Sequence, residues 1–268
     1  MPEEKAKEPV LEVQNVSIAF DNNRVLDDVS FTLYNGETCV LLGPAGGGKS
    51  VLLKIINGLI PPDSGSIRVF GQEITTMTQQ ELFTMRRRVG MVFQESALFD
   101  SMNVEDNVAY RLNEEGVDPA EAHKRVEESL EFVELSQAIN KFPSELSGGM
   151  RRRVSIARAL ITKPDLILYD SPTGGLDPIT STTIVELILK QRDESHTASL
   201  MITHRLQDAF FLATHHWDSA TKSVQPIPDG GVDKNTKFLV LNEGRVVFDG
   251  STLELTHSED PWLQNFLS

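Results

Sequence analysis

The sequence predicts an α/β protein built around a parallel sheet. Four short, unbroken apolar runs have the composition of strands buried on both faces, and helical sequence adjoins each of them. The runs lie at residues 39–42, 89–93, 166–169 and 199–202. A glycine-rich loop at residues 43–48 follows the first run and precedes a helical pattern at residues 50–57. This order of strand, loop and helix is the opening of a parallel sheet.

Two further kinds of element surround this sheet. Residues 10–33 carry apolar side chains at every second position, which is typical of half-buried antiparallel strands, and Asn35-Gly36 turns the chain afterwards. Residues 94–164 have helical patterns and no convincing strand, and Asp118 and Pro119 are the residue types of a helix start. We therefore expect an inserted helical lobe between the second and third buried strands.

The remaining segments are less regular. Residues 214–237 contain prolines and glycines with little periodicity, so we expect a surface insertion, which is either a tolerated loop or a dock for a small regulatory subunit. Residues 238–248 have the pattern of a hairpin. Residues 1–7 and 258–268 are expected to be tails, and the mixed charge of the first segment excludes a secretory signal.

Composition excludes several classes of protein. The 268 residues include 25 Lys and Arg against 39 Asp and Glu, a net charge of −14, which disfavours non-specific binding to nucleic acid or anionic lipid. No run of 18 apolar residues occurs, so membrane attachment is expected to depend on a protein partner. The single cysteine, Cys39, lies in an apolar run and is expected to be a small buried hydrophobe.

The loop at residues 43–50 matches the pattern of a phosphate-binding loop. Glycines let successive backbone N–H groups face a polyphosphate, Lys49 reaches its β and γ phosphates, and Ser50 can hold Mg²⁺. We expect Lys49 to be a surface charge without nucleotide, so that Lys49→Ala leaves the fold intact. The eight residues of the loop are Gly43, Pro44, Ala45, Gly46, Gly47, Gly48, Lys49 and Ser50.

Two other segments point to the same ligand. Asp170 ends a buried parallel strand, where a carboxylate can hold the water shell of a metal ion. Ser147, Gly148, Gly149 and Met150 begin a helix and form a second anion-facing helix start. One triphosphate site in a monomer would not use both helix starts. A head-to-tail pair of chains would use each of them twice.

These motifs together resemble the nucleotide-binding subunit of an ABC transporter, over residues 10–251. The resemblance adds Gln94 as the Q-loop residue, Phe20 as the aromatic that stacks on adenine, Asp177 of the D-loop, and the switch residue His204. Residues 57–65 and 92–102 most resemble ATPases of the Mla/MCE phospholipid-transport systems.

The resemblance implies a P-loop NTPase with a RecA-like core, an antiparallel β subdomain and an inserted α-helical subdomain. The ATPase domain would span residues 8–257, with the core and β subdomain at 8–94 and 163–257 and the helical subdomain at 95–162.

The same resemblance implies the ligands and partners. The cofactors would be ATP and Mg²⁺, with Ser50, Gln94 and Asp170 on the metal. The partners would be integral-membrane permease subunits, a second copy of the chain, a small regulatory subunit and an MCE-type substrate-binding protein. The subunit would lie peripherally on the cytoplasmic face of the inner membrane. Leu98, Phe99 and Met102 would either line the groove for a permease helix or belong to the core.

Ser171 departs from the family pattern. The family carries a glutamate after the strand-terminal aspartate, and a serine hydroxyl is a very poor proton acceptor at neutral pH. We expect Ser171 and His204 to hold the attacking water, with Gln94 beside them, and turnover to be slow or to need the assembled transporter. An ATP-gated clamp with negligible turnover is the first alternative, and a serine introduced to trap ATP would give the same sequence. A soluble ABC protein of translation or DNA repair is disfavoured, because only one motif set is present.

The other charged clusters are assigned no function. The arginine triplets at residues 86–88 and 151–153 are interpreted as solvated faces with one structural ion pair, because consecutive helical side chains diverge by about 100°. His215, His216 and Asp218 lack the spacing of a zinc site.

Overall fold

The computed structural model describes residues 8–21 and 23–268, and contains strands in three sheets. The strands are β1 (Pro9–Phe20), β2 (Asn23–Tyr34), β3 (Thr38–Leu42), β4 (Ser64–Val69), β5 (Gln72–Glu73), β6 (Val89–Val92), β7 (Leu166–Asp170), β8 (Ala198–Ile202), β9 (His215–Asp218), β10 (Ser223–Pro226), β11 (Thr236–Asn242) and β12 (Arg245–Ser251). The helices are α1 (Lys49–Ile56), α2 (Gln79–Arg86), α3 (Val104–Glu114), α4 (Pro119–Phe132), α5 (Gly148–Leu160), α6 (Pro178–Ser195), α7 (Leu206–Thr214), α8 (Thr252–Thr256) and α9 (Pro261–Leu267).

The central sheet has the order β12-β11-β3-β8-β7-β6. All of its neighbours are parallel except β11 and β12, which form an antiparallel hairpin. The four predicted apolar runs are strands β3, β6, β7 and β8, so the predicted fold class is confirmed. Since the side chains of each strand alternate between the two faces, every strand contributes to two cores.

One core contains Val40 and Tyr169 and packs against the helices of the lobe, whereas the other contains Leu41 and Leu168 and packs against the second sheet. This second sheet has the order β2-β1-β4-β5 and is antiparallel throughout. It contains the half-buried strands that the alternation at residues 10–33 predicts. Cys39 lies in this second core, fully buried as expected.

Between β6 and β7 the described chain is helical, as the sequence predicts. Asp118 caps α4 by accepting hydrogen bonds from the amides of Ala120 and Glu121, with Pro119 in the first turn. The boundaries 95–162 and the other domain limits stay predictions. In the part of the chain that the structure describes, no helix is both long and apolar enough to cross a bilayer.

The stretch at residues 214–237 contains secondary structure that its sequence does not reveal. β9 and β10 form a two-stranded antiparallel sheet that packs on α6. Arg192 of α6 fastens this hairpin by donating a 2.9 Å hydrogen bond to the carbonyl of His215. Trp217 contributes an amide hydrogen bond to the Asp193 carboxylate, 2.6 Å long.

The two expected tails have different outcomes. Residues 1–7 lie outside the described residues. The description of residues 258–268 as a tail is incomplete, because α9 forms there, caps its start with Asp260 and buries Leu263.

Candidate functional site

The phosphate-binding loop lies at the carboxyl end of β3, and close packing requires glycine at two of its positions. A Cβ on Gly43 would lie 2.2 Å from the carbonyl oxygen of Leu241, on the neighbouring β11. Gly48 has a φ of +86°, and a Cβ there would lie 2.7 Å from the carbonyl oxygen of Val25. The backbone conformation at Gly48 is one that L side chains rarely adopt.

Lys49 is not a surface charge, so that expectation was wrong. Its side chain is 8% exposed, and its Nζ donates hydrogen bonds of 2.9 Å to the carbonyl of Gly43 and 2.7 Å to the carbonyl of Pro44. Burial lowers the pKa of Lys49, while the carboxylate of Asp170 opposes that shift. The loop thus wraps around the ammonium group, and the two carbonyls are its hydrogen-bond acceptors.

Ser50 and Asp170 meet although 120 residues separate them. The hydroxyl of Ser50 donates a 3.1 Å hydrogen bond to Oδ1 of Asp170. Burial raises the pKa of Asp170, and the hydrogen bond from Ser50 opposes this rise, followed by the positive charges of Lys54, Lys49 and Arg152. The predicted strand-end carboxylate therefore lies beside the predicted metal-binding hydroxyl.

The donor set at this point fits Mg²⁺ that is shared with a phosphate. Mg²⁺ in nucleotide sites takes one or two protein oxygen ligands and completes its shell with phosphate oxygens and water. Ser50 and Asp170 supply two such oxygens within contact distance of each other. Within the described residues, no cluster of three or more His, Cys, Asp or Glu side chains could hold an ion without such a ligand.

Gln94 and Ser171 flank the same glycine. A Cβ on Gly174 would lie 3.5 Å from Cγ of Gln94 and 3.5 Å from Cβ of Ser171. Ser171 is buried and has a φ of +47°, and its amide donates a 3.0 Å hydrogen bond to the carbonyl of Ile202. Gln94 is exposed, two residues after the end of β6.

His204 is exposed at the carboxyl end of β8, the strand next to β7. The buried Asp208 of α7, which sequence reasoning missed, connects the segment that contains His204 to the loop after β7. Asp208 accepts a hydrogen bond from the hydroxyl of Thr173 and forms a 3.4 Å ion pair with Arg205. The signal for Asp208 in the sequence is weak, since one acidic residue four positions after a histidine has many ordinary explanations.

The second anion-facing helix start lies beside the start of α6. Ser147 caps α5 by accepting a hydrogen bond from the amide of Met150, and Asp177 caps α6 in the same way from Thr180. A Cβ on Gly149 would lie only 2.4 Å from Cγ2 of Thr180. The structure thus brings together the residues of the predicted signature segment and Asp177. Gly148 lies in the same segment. A Cβ on Gly148 would lie 3.6 Å from Cδ2 of Leu176.

Phe20 is on the hairpin that touches the phosphate loop. Its side chain is 43% exposed at the end of β1, where it pairs with Asn23 at the start of β2. Two residues further along β2, Val25 makes the close approach to Gly48 described above. An exposed aromatic ring near a phosphate loop is available for stacking on a base.

A cavity of about 280 Å³ separates β6 and α2 from the helical lobe. Phe99 is exposed at this cavity, and its ring centroid lies 4.8 Å from that of Tyr110. The guanidinium carbon of Arg158 lies over the Phe99 ring, 5.8 Å from its centroid. Leu98 packs against the core instead, and Met102 is half-buried. Leu98 thus belongs to the core, whereas the groove for a permease helix stays a prediction for the exposed Phe99.

His215 and Arg88 make structural contacts. The ring of His215 stacks on Phe211 with centroids 4.0 Å apart. Arg88 pairs with Asp165 at 2.6 Å, which agrees with a solvated structural role. Arg152 does not fit that interpretation, because its side chain is buried.

Comparisons with known proteins show the family of this chain. A family model described as ABC transporter matches residues 26–174. The chain belongs to the ABC transporter family. It is an ATP-binding subunit of that family, whose cassettes work as dimers with membrane permease components.

Individual members of the ABC transporter family align over nearly the whole chain. The "intermembrane phospholipid transport system ATP-binding protein MlaF" of Escherichia coli K12 is 36% identical over 259 residues, which cover 96% of this chain and 88% of MlaF. The chloroplastic protein TRIGALACTOSYLDIACYLGLYCEROL 3 of Arabidopsis thaliana is 35% identical over 98% of this chain and 74% of its own length.

A solved structure also matches. A dimeric ATP-binding cassette in a post-hydrolysis state, bound to ADP and Pi, superposes with a TM-score of 0.76 at 28% identity, over 90% of this chain and 98% of that one.

Proposed function

We propose that this chain hydrolyses ATP to move phospholipid between membranes, as a head-to-tail dimer docked on an integral-membrane permease. Its similarity to MlaF over 96% of its length supports the phospholipid substrate class. The subunit would lie peripherally on the cytoplasmic face of the inner membrane. An MCE-type substrate-binding protein would complete the system, and a small regulatory subunit would bind at residues 214–237.

The phosphate loop would bind the triphosphate through backbone amides at the start of α1. An arriving β or γ phosphate replaces the carbonyls of Gly43 and Pro44 as acceptors for Lys49, so the loop opens around its lysine as it binds. Phe20 would stack on adenine. The loop residues Gly43, Pro44, Ala45, Gly46, Gly47, Gly48, Lys49 and Ser50 form this half of the site.

Ser50, Asp170 and Gln94 would hold Mg²⁺. When bound, the ion supplies positive charge that neutralises the β and γ phosphate oxygens. Asp170 is suited to this task because its carboxylate is partly desolvated and already accepts the hydroxyl of Ser50. Gln94 carries the state of the nucleotide to the helical lobe that it precedes.

Ser171, His204 and Gln94 would hold the attacking water. Ser171 and Gln94 flank Gly174, and His204 lies at the end of the next strand. Positioning and charge stabilisation provide most of phosphoryl transfer, whereas a general base adds about 10²–10⁴-fold. A serine orients water without accepting its proton, so we expect slow hydrolysis.

The partner subunit would close the site. Ser147, Gly148, Gly149 and Met150 of one chain would face the triphosphate held by the other, with Asp177 beside them. Closure on ATP and opening after hydrolysis would move both helical lobes. A permease helix would seat in the cavity at Phe99 and follow that motion.

The contact of Ser50 with Asp170 at the phosphate loop carries this proposal. Calorimetric titration of the full chain with ATP, with and without Mg²⁺, tests it. We expect binding that Mg²⁺ strengthens and that Lys49→Ala removes, whereas no heat at millimolar ATP would contradict the whole proposal. Purification with the permease, followed by lipid analysis, tests the substrate class, and a complex without phospholipid would reject it.

Ser171 favours a second candidate, an ATP-gated clamp. In that case ATP binding closes the dimer, and opening of the dimer does not depend on ATP hydrolysis. Single-turnover kinetics on the assembled transporter separate the two functions. Release of one phosphate per site within a transport cycle supports the motor, and closure with intact ATP supports the clamp.

A further inference from the structure

Arg152 is a buried arginine in the middle of a sequence triplet that otherwise faces solvent or the helical lobe. It lies on α5, five residues after the helix cap Ser147, and its side chain is only 4% exposed. Its neighbours make local contacts. Arg151 donates to the carbonyl of Leu146, and Arg153 donates a 3.3 Å hydrogen bond to the carbonyl of Val133.

Arg152 alone of the triplet reaches the residues around the phosphate site. One terminal nitrogen, Nη1, donates to the carbonyl of Phe93, which directly precedes Gln94. The other, Nη2, donates a 3.3 Å hydrogen bond to the carbonyl of Gly174. Gly174 is the glycine that Gln94 and Ser171 flank. A single guanidinium therefore joins the signature helix to the segments that present two of the three proposed water-holding residues, Gln94 and Ser171.

The charge of Arg152 has no balancing ion pair within the described residues. A comparison within the chain shows how unusual this is: Arg192 is similarly buried, at 6% exposed, but pairs with Asp193 at 2.6 Å and with Asp233 at 3.3 Å. The buried Nε of Arg152 also has no hydrogen-bond partner in the part of the chain that the structure describes. Burial lowers the pKa of Arg152, and the charge of Asp170 opposes this shift.

An unpaired buried charge destabilises a fold, so a neutral side chain would serve better if packing were the only requirement. The fork of a guanidinium can hold two carbonyls at a fixed separation, which neither a lysine nor a glutamine reproduces fully. The positive charge also acts on Asp170, the carboxylate proposed for Mg²⁺.

We propose that Arg152 is a positioning residue for ATP hydrolysis, which locks Gln94 and the turn from Ser171 to Gly174 to the signature helix. The inference rests on the proposed function. Arg152 acts through these segments and not on the substrate itself. Because its helix begins with Ser147, the segments of one nucleotide site are mechanically tied to the helix start that serves the other.

The test compares Arg152→Gln, Arg152→Lys and the matched control Arg153→Gln in the full chain, assembled with its permease. Steady-state phosphate release gives kcat and KM, and thermal unfolding gives Tm. We expect Arg152→Gln to lower kcat on the order of tenfold with little change in KM, since misplaced reacting groups lose rate before binding. Arg152→Lys should restore part of kcat, and Arg153→Gln should stay near the wild type.

Three results would overturn the inference. The first is a kcat for Arg152→Gln equal to that of Arg153→Gln. The second is a loss of kcat in step with the folded fraction, for both Arg152 variants. If the wild type releases no phosphate, the proposed motor is refuted, and ATP-dependent dimerisation tests the role of Arg152 instead. Arg152→Gln should then weaken dimerisation without weakening ATP binding, and unchanged dimerisation is the third result that would overturn the inference.

Discussion

The Cγ2 methyl of Thr180 lies against the backbone of Gly149, with 2.4 Å between that methyl and the place a Cβ would take. This contact sets how closely the starts of α5 and α6 approach each other. It places the signature segment of the ABC subunit beside Asp177, which caps α6. Two segments expected to face a partner subunit are thus one packed unit.

Gly149→Ala should disrupt this unit. The added methyl overlaps Thr180, and overpacking of this kind destabilises a protein by about 1–3 kcal/mol. Urea unfolding measures the loss, and sedimentation with ATP should show weaker dimerisation. Gly148→Ala is the matched control for the urea measurement alone, because its nearest neighbour is Cδ2 of Leu176 at an ordinary 3.6 Å.

The double variant Gly149→Ala, Thr180→Ser should recover most of the stability. Serine removes the offending methyl and keeps the hydroxyl, which donates a 2.6 Å hydrogen bond to Asp177. If the double variant is no more stable than Gly149→Ala, the steric explanation is wrong.

Lys49→Ala should remove ATP binding while changing stability by only about 1 kcal/mol, because the two hydrogen bonds lost are offset by the burial of a charge that is no longer needed. Calorimetry measures the first quantity and urea unfolding the second. If the variant binds ATP with wild-type affinity, Lys49 does not contribute to ATP binding and the prediction is wrong.

Ser171→Glu should raise the rate of hydrolysis by up to about 10²–10⁴-fold, since a carboxylate can polarise water where a serine cannot. Ser171→Ala is the paired variant and should lose the slow basal rate. Phosphate release from the assembled transporter is the measurement. Equal rates for all three proteins would show that the side chain at this position does not contact the water.

Asp208→Asn should change how stability depends on pH. Burial raises the pKa of Asp208, while the Thr173 hydroxyl and the charges of Arg205 and His204 oppose the rise. A carboxyl whose pKa is higher in the folded state than in the unfolded state favours folding when protonated, so the wild type loses stability as the pH rises through that pKa. The asparagine variant lacks this titration.

The stability of the wild type relative to Asp208→Asn should therefore fall as the pH rises above about 4, the ordinary pKa of an aspartate. Urea unfolding at several pH values follows the difference. A difference that grows with pH would mean that the ion pair with Arg205 outweighs burial.

The parts of this fold that sequence predicts are those where burial alone selects the residues. β3, β7 and β8 are buried along almost their entire length, so unbroken apolar runs identify them. β9 is half-buried at all four positions and contains two histidines, so neither alternation nor an apolar run marks it. Its position depends on Arg192, which is distant in sequence.

The candidate site divides in the same way. The phosphate loop is local, so the spacing of its glycines with Lys49 and Ser50 predicts it, whereas the burial of Lys49 depends on carbonyls that only the folded loop presents. Arg152 was misjudged because three consecutive arginines look solvated. The side chain that turns inward is selected by carbonyls on two distant loops.

Cys39 gives the molecule an internal reporter of unfolding. Its thiol is fully buried, and burial raises its pKa to about 12. Alkylating reagents therefore cannot reach the thiol in the native state, and the reactive thiolate does not form there. A thiol-reactive dye would therefore label only chains that have opened their second core. Spin labels placed on engineered surface cysteines would meet no competing native thiol.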